Sequence, residues 1–80
     1  MQQELNELGL WLAEHPEAVR RLKPVRSSVV LKPGVYYNRG TGMVERIYAP
    51  QHVALGNRIF RLSGDPGAPV EELWRKVMGG

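Results

Sequence analysis

The eighty-residue chain predicts an α+β domain, with a helical segment at each end and a run of short antiparallel strands between them. Three observations carry that prediction. Apolar residues recur at helical spacing before Pro24 and after Pro69, and at a period of two in between. Turn-forming residues punctuate the middle at Pro33-Gly34, Gly40-Thr41-Gly42 and Gly56-Asn57. No repeat, low-complexity tract or long linker divides the chain, so residues 1–80 read as a single domain: a helical region over 1–23, an antiparallel β region over 26–63 and a terminal helix over 69–78.

Leu5, Leu8 and Leu12 lie at three- and four-residue intervals, with Trp11 widening the stripe, and predict a first helix over about 3–14. Pro16 has no N–H to donate, so it breaks or kinks that helix and opens a second turn, and His15 marks the end of the first. Ala18, Val19 and Leu22 extend the apolar face over about 16–22, until Pro24 stops it. "SSVVLK" then begins the strands. "VYYN" and "MVERIY" flank the glycine loop as one hairpin, and "HVAL" and "RIFRL" flank Gly56-Asn57 as a second. A two-residue turn there would set His52 opposite Arg61 and put Val53, Leu55, Phe60 and Leu62 on one core face. His52, Ala54, Ile59 and Arg61 would then share the other face. Pro69 opens the last helix, Glu71 and Glu72 precede Arg75 and Lys76 in the order the helix dipole favours, and Val70, Leu73, Trp74 and Val77 give the apolar stripe. The expected architecture is an antiparallel meander of about five short strands, open or curled into a small SH3-like barrel. The helices cover one face, with Trp11 and Trp74 as packing anchors. A helix-turn-helix fits less well, because Pro24 cuts the segment where a recognition helix should continue.

The string from Gly40 to Ile47, "GTGMVERI", resembles the G-x-G-x-V-x-x-I kernel of KOW motifs, which sit in SH3-like barrels of ribosomal proteins and transcription elongation factors. The resemblance covers eight residues and lacks the longer basic turn that precedes the family kernel. It implies a barrel and nucleic-acid contact, and it assigns no individual binding residue.

Charge gives the main functional signal. Residues 1–17 carry four glutamates and no basic residue, whereas residues 18–61 carry nine lysines and arginines against Glu45 alone. A basic middle between acidic ends suits a polyanionic partner. Tyr36, Tyr37, Arg39, Arg46, Arg58 and Arg61 are the candidate contact residues: arginines neutralise phosphates, and a tyrosine on an open sheet stacks on a base. Tyr36 and Tyr37 alternate across their strand, so one is expected in the core and the other, with Tyr48, on the surface. The run Arg20, Arg21, Lys23 and Arg26 reads first as cations at a helix C-terminus and second as a phosphate-contacting corner.

Other chemistries find little support. The chain has no cysteine, which removes disulfides and Cys-based zinc sites, and its two histidines show no ligand spacing. Gly40-Thr41-Gly42 lacks the third glycine and following helix of a dinucleotide loop and reads as a hairpin turn. The serines at 27, 28 and 63 have no nucleophile-elbow context. So short a chain leaves little room for a pocket of about 300 Å³ or more. No enzyme, cofactor or metal is expected. The first residues have neither a basic n-region nor a long apolar run, so neither a signal peptide nor a membrane span is expected. The resulting expectation is a cytoplasmic nucleic-acid-binding or regulatory module. Its rival is a protein-interaction module, such as a phage-type inhibitor or assembly subunit, binding an acidic protein surface or, through an open strand edge, a second copy of itself.

Overall fold

A computed structural model describes residues 2–25, 30–52 and 58–79 and has the α+β architecture. In chain order its elements are α1 (Gln2–Glu14), α2 (Pro16–Val19), β1 (Lys23–Pro24), β2 (Val30–Leu31), β3 (Gly34–Asn38), β4 (Met43–Ile47), β5 (Gln51–His52), β6 (Ile59–Ser63) and α3 (Val70–Gly79). Residues 26–29, where the β region is expected to begin, and the turn expected at Gly56-Asn57, with Val53, Ala54 and Leu55, lie outside the described residues.

Pro16 divides the first two helices as its chemistry requires. His15 leaves helical geometry (φ −130°, ψ 70°), and Pro16 takes the first helical position of α2, where a missing N–H costs nothing. Helix α2 is shorter than the apolar spacing suggests. Arg20, Arg21 and Leu22 close a turn through bonds to Pro16, Ala18 and Val19 carbonyls, and the chain then straightens into β1. A residue before proline disfavours the helical region, and Lys23 precedes Pro24.

The main sheet has four antiparallel strands in the order β1-β6-β3-β4, and β2 pairs with β5 in a separate two-stranded ribbon. Strands β3 and β4 form the expected hairpin, with Val35 opposite Arg46 and Tyr37 opposite Val44. The rest is not a meander. Both sides of β6 are occupied, by β1 and β3, so His52 faces Val30 in the ribbon instead of Arg61. Between Val35 and Tyr36 the β3–β6 register shifts, because Val35 faces Ser63 and Tyr36 faces Arg61. Leu62 is therefore the extra residue of a β-bulge. Strands β1 and β4 are edges, so the sheet does not close into a barrel.

One face of this sheet meets all three helices. Leu5, Leu8 and Leu12 from α1, Val35, Tyr37, Val44, Phe60 and Leu62 from the strands, and Leu73 and Val77 from α3 form one buried cluster. Trp11 and Trp74 seal its margin edge to face, their ring centroids 5.8 Å apart. Helix α1 lies so close to the β3–β4 turn that a Cβ at Gly9 would stand 2.6 Å from the Gly42 carbonyl oxygen. Glycine is thus tolerated mid-helix because the contact needs its missing side chain. Gly42 itself has φ +74°, and the Asn38 side-chain oxygen accepts from the Gly40 and Thr41 amides, so the glycine loop is a hairpin turn. The opposite face holds a second, smaller cluster of Leu31, Tyr36, Ile47 and Ile59, with Val25 against it.

Candidate functional site

The six candidate contact residues do not converge. Tyr36 and Tyr37 do point to opposite faces, yet both are buried, at 6% and 1% exposure, because each face carries its own apolar cluster. Stacking on a base needs an open ring face, and neither tyrosine offers one. The Tyr36 hydroxyl is also engaged, donating to the Lys32 carbonyl at 2.7 Å. Tyr48 is the exposed aromatic, at 68%. Arg46 turns toward the helix side, where its Nη1 donates to the carbonyls of Pro66 and Ala68 at 2.8 and 2.7 Å. It pins the loop before α3 to β4, a structural task that the basic composition does not reveal. Arg39 and Arg58 are exposed neighbours at the hairpin end of the sheet, joined by the Arg39 amide donating to the Arg58 carbonyl at 2.7 Å. Arg61 lies half-buried in β6, opposite Tyr36.

Among the described residues, several cations lie near the β1 edge instead. Lys23 stands directly opposite Arg61 across the β1–β6 pair, so the two side chains share a face. Two adjoining pockets have this pair in common. One, of ≈ 240 Å³, is also lined by Arg21 and Lys76. The other, of ≈ 250 Å³, is also lined by Lys32, with apolar walls from Val25, Val30 and Leu31. Among the described residues no carboxylate lines either pocket. Arg21 is partly committed, since its Nη2 donates to the Val77 carbonyl at 2.9 Å near the C-terminus of α3. There it both ties α2 to α3 and meets the negative end of the α3 dipole. Arg26 lies outside the described residues.

In sequence, Lys23 and Arg21 read first as helix-end cations and second as a phosphate-contacting corner, Lys76 as a complement to the α3 dipole, and Lys32 only as part of the basic middle. A two-residue strand ending in proline has no visible period, so nothing in the sequence announced that Lys23 would pair with Arg61. The alternation of "RIFRL" placed Arg61 correctly, on the face opposite Phe60 and Leu62.

A third cavity, of ≈ 310 Å³, opens between the α1–α2 elbow and the hairpin end of the sheet and is lined by Arg20, Arg39 and Tyr37 among others. It exceeds the space expected of so short a chain. The two histidines stay apart from these sites. His15 stacks on Trp11, their centroids 4.0 Å apart, and its Nδ1 donates to the Trp11 carbonyl at 2.7 Å. A carbonyl only accepts, so that nitrogen carries the proton. His52 is exposed on the ribbon. No group of three or more His, Asp or Glu side chains among the described residues is placed to hold a metal ion, and no helix there is long and apolar enough to cross a membrane. Compared with known proteins, the chain matches no family model, no curated protein and no solved structure.

Proposed function

We propose that the protein is a small non-enzymatic module that binds nucleic acid through its phosphates, along the groove beside β1. The observation that carries this reading is the opposed pair Lys23 and Arg61, flanked by Arg21, Lys76 and Lys32, with no lining carboxylate among the described residues. Like charges directly across a strand pair destabilise a sheet. Phosphate oxygens placed between them reverse the sign of that interaction and release condensed counterions. The role of each cation is to neutralise phosphate, with the apolar floor of Val25, Val30 and Leu31 beneath a sugar or base edge. Base stacking on Tyr36 and Tyr37 forms no part of the mechanism, so binding is expected to depend little on sequence.

The test is a titration of fluorescein-labelled oligonucleotide, single-stranded and duplex, at low and moderate salt, read by anisotropy. Affinity should fall steeply with salt, and each cation removed by Lys23→Ala or Arg61→Ala should reduce the log–log slope by about 1. Absence of binding at low salt to either form, or binding that is indifferent to both substitutions, overturns the reading. Retention of an acidic protein by the same residues, without affinity for oligonucleotide, would transfer the groove to the rival interaction function.

A further inference from the structure

The cavity at the α1–α2 elbow differs in kind from the β1 groove. Its walls come from the main core: Leu12, Val19 and Phe60 line it, and Tyr37 closes its floor. At ≈ 310 Å³ it lies at the small end of ligand-binding cavities, which run from about 300 to 1,000 Å³. Arg20 and Arg39 reach it from two separate elements, and among the described residues no carboxylate lines it. Two guanidinium groups and several core side chains thus line one cavity, with no carboxylate among its described lining residues.

Tyr37 adds an observation of its own. The residue is almost wholly buried, yet its hydroxyl makes no hydrogen bond among the described residues. No fully buried polar side-chain atom there is left without a partner, so the hydroxyl keeps a trace of solvent access, and Tyr37 lines this cavity. Burial pushes the phenol's pKa above 10.0, and the nearby Arg39 charge opposes that shift. At neutral pH the group is therefore an O–H donor within reach of the Arg39 charge.

We propose that this cavity binds a small anion carried on an apolar body, a carboxylate or phosphate monoester whose charged end meets Arg20, Arg39 and the Tyr37 hydroxyl. The apolar body occupies the space between Leu12, Val19 and Phe60. Guanidinium groups and a phenolic donor suit both anions, since each presents two or more acceptor oxygens. The site shares no cation with the β1 groove. It stands or falls independently of nucleic-acid binding.

The experiment is an amide-resolved NMR titration with phenyl phosphate, benzoate, inorganic phosphate and benzyl alcohol. One or both aryl anions should shift the amides of Val19, Tyr37 and Arg39 saturably, and which one does so identifies the preferred charged group. Benzyl alcohol and inorganic phosphate, each lacking half of the recognised chemistry, should bind about tenfold or more weakly. Tyr37→Phe, which keeps the ring, and Arg39→Gln should each weaken the aryl anion by about three- to tenfold. Lys23→Ala should leave it unchanged. Three outcomes would overturn the proposal: no saturable shift with either aryl anion, equal binding of benzyl alcohol or inorganic phosphate, or full affinity in both Tyr37→Phe and Arg39→Gln.

Discussion

The helix-covered face of the main sheet and its far face are built from the same strands but to different depths. On the first, side chains from all three helices interlock with Val35, Tyr37, Val44, Phe60 and Leu62. On the second, the described residues contribute four buried side chains, with Leu31 of the short ribbon packed among Tyr36, Ile47 and Ile59. Apolar burial is the main stabilising term in folding, so the helix face is where the domain's stability resides. At the β1 margin of the far face, Lys23, Lys32 and Arg61 line a pocket with no carboxylate among its described lining residues. One face holds the fold together, and the rim of the other is free to carry charge.

Core truncation tests this contrast with the largest expected effect. Leu12→Ala, at a fully buried helix-face position, should cost about 2–5 kcal/mol, read by urea denaturation. Ile59→Ala, at 9% exposure in the thinner cluster, should fall near the lower end of that range because its surroundings can relax or admit water. Equal costs would erase the difference between the faces. Arg46→Ala comes next. Removing two charge-assisted hydrogen bonds to the Pro66 and Ala68 carbonyls should cost about 1.5–3 kcal/mol and leave oligonucleotide affinity per folded molecule unchanged. Lost affinity at unchanged stability would return Arg46 to the binding surface.

Arg46 also shows where sequence reading stops. The alternation of strands, the break at Pro16, the hairpin at the glycine loop and the anchoring tryptophans were all legible, because each follows from local spacing or from one residue's backbone chemistry. The placement of cations was not. Whether an arginine solvates a sheet, clamps a loop or joins a charged groove depends on which strands become neighbours. That was settled by β6 entering between β1 and β3, a long-range pairing with no local signature. The two tyrosines were misjudged for the same reason. A strand alternates between faces, but only the tertiary structure decides whether the second face is covered.

A smaller effect is expected at alkaline pH. The folded state holds the Tyr37 proton more tightly than the unfolded chain does, because burial raises its pKa and Arg39 only partly offsets the shift. Stability from this group is therefore complete below the unfolded pKa near 10.0 and is lost as pH climbs through the higher folded value. Denaturation curves across that window should show a decline that Tyr37→Phe diminishes. Arg39→Gln should push the tyrosine titration higher still. A Tyr37 titration at or below 10.0 would remove the buried donor from the elbow cavity.

The smallest change in stability accompanies the most informative substitution. Lys23→Glu converts an opposed like-charge pair into an opposite-charge pair with Arg61, which should stabilise the sheet by about 0.2–1 kcal/mol. The same change places a carboxylate in the middle of the groove where phosphate is proposed to sit. The decisive measurement is the low-salt affinity of Lys23→Glu for labelled oligonucleotide, with its denaturation midpoint taken alongside. A fold at least as stable as the parent with binding reduced by about tenfold or more is the predicted result. Parent-like affinity in a stably folded Lys23→Glu protein would contradict the claim that the β1 edge is the nucleic-acid site.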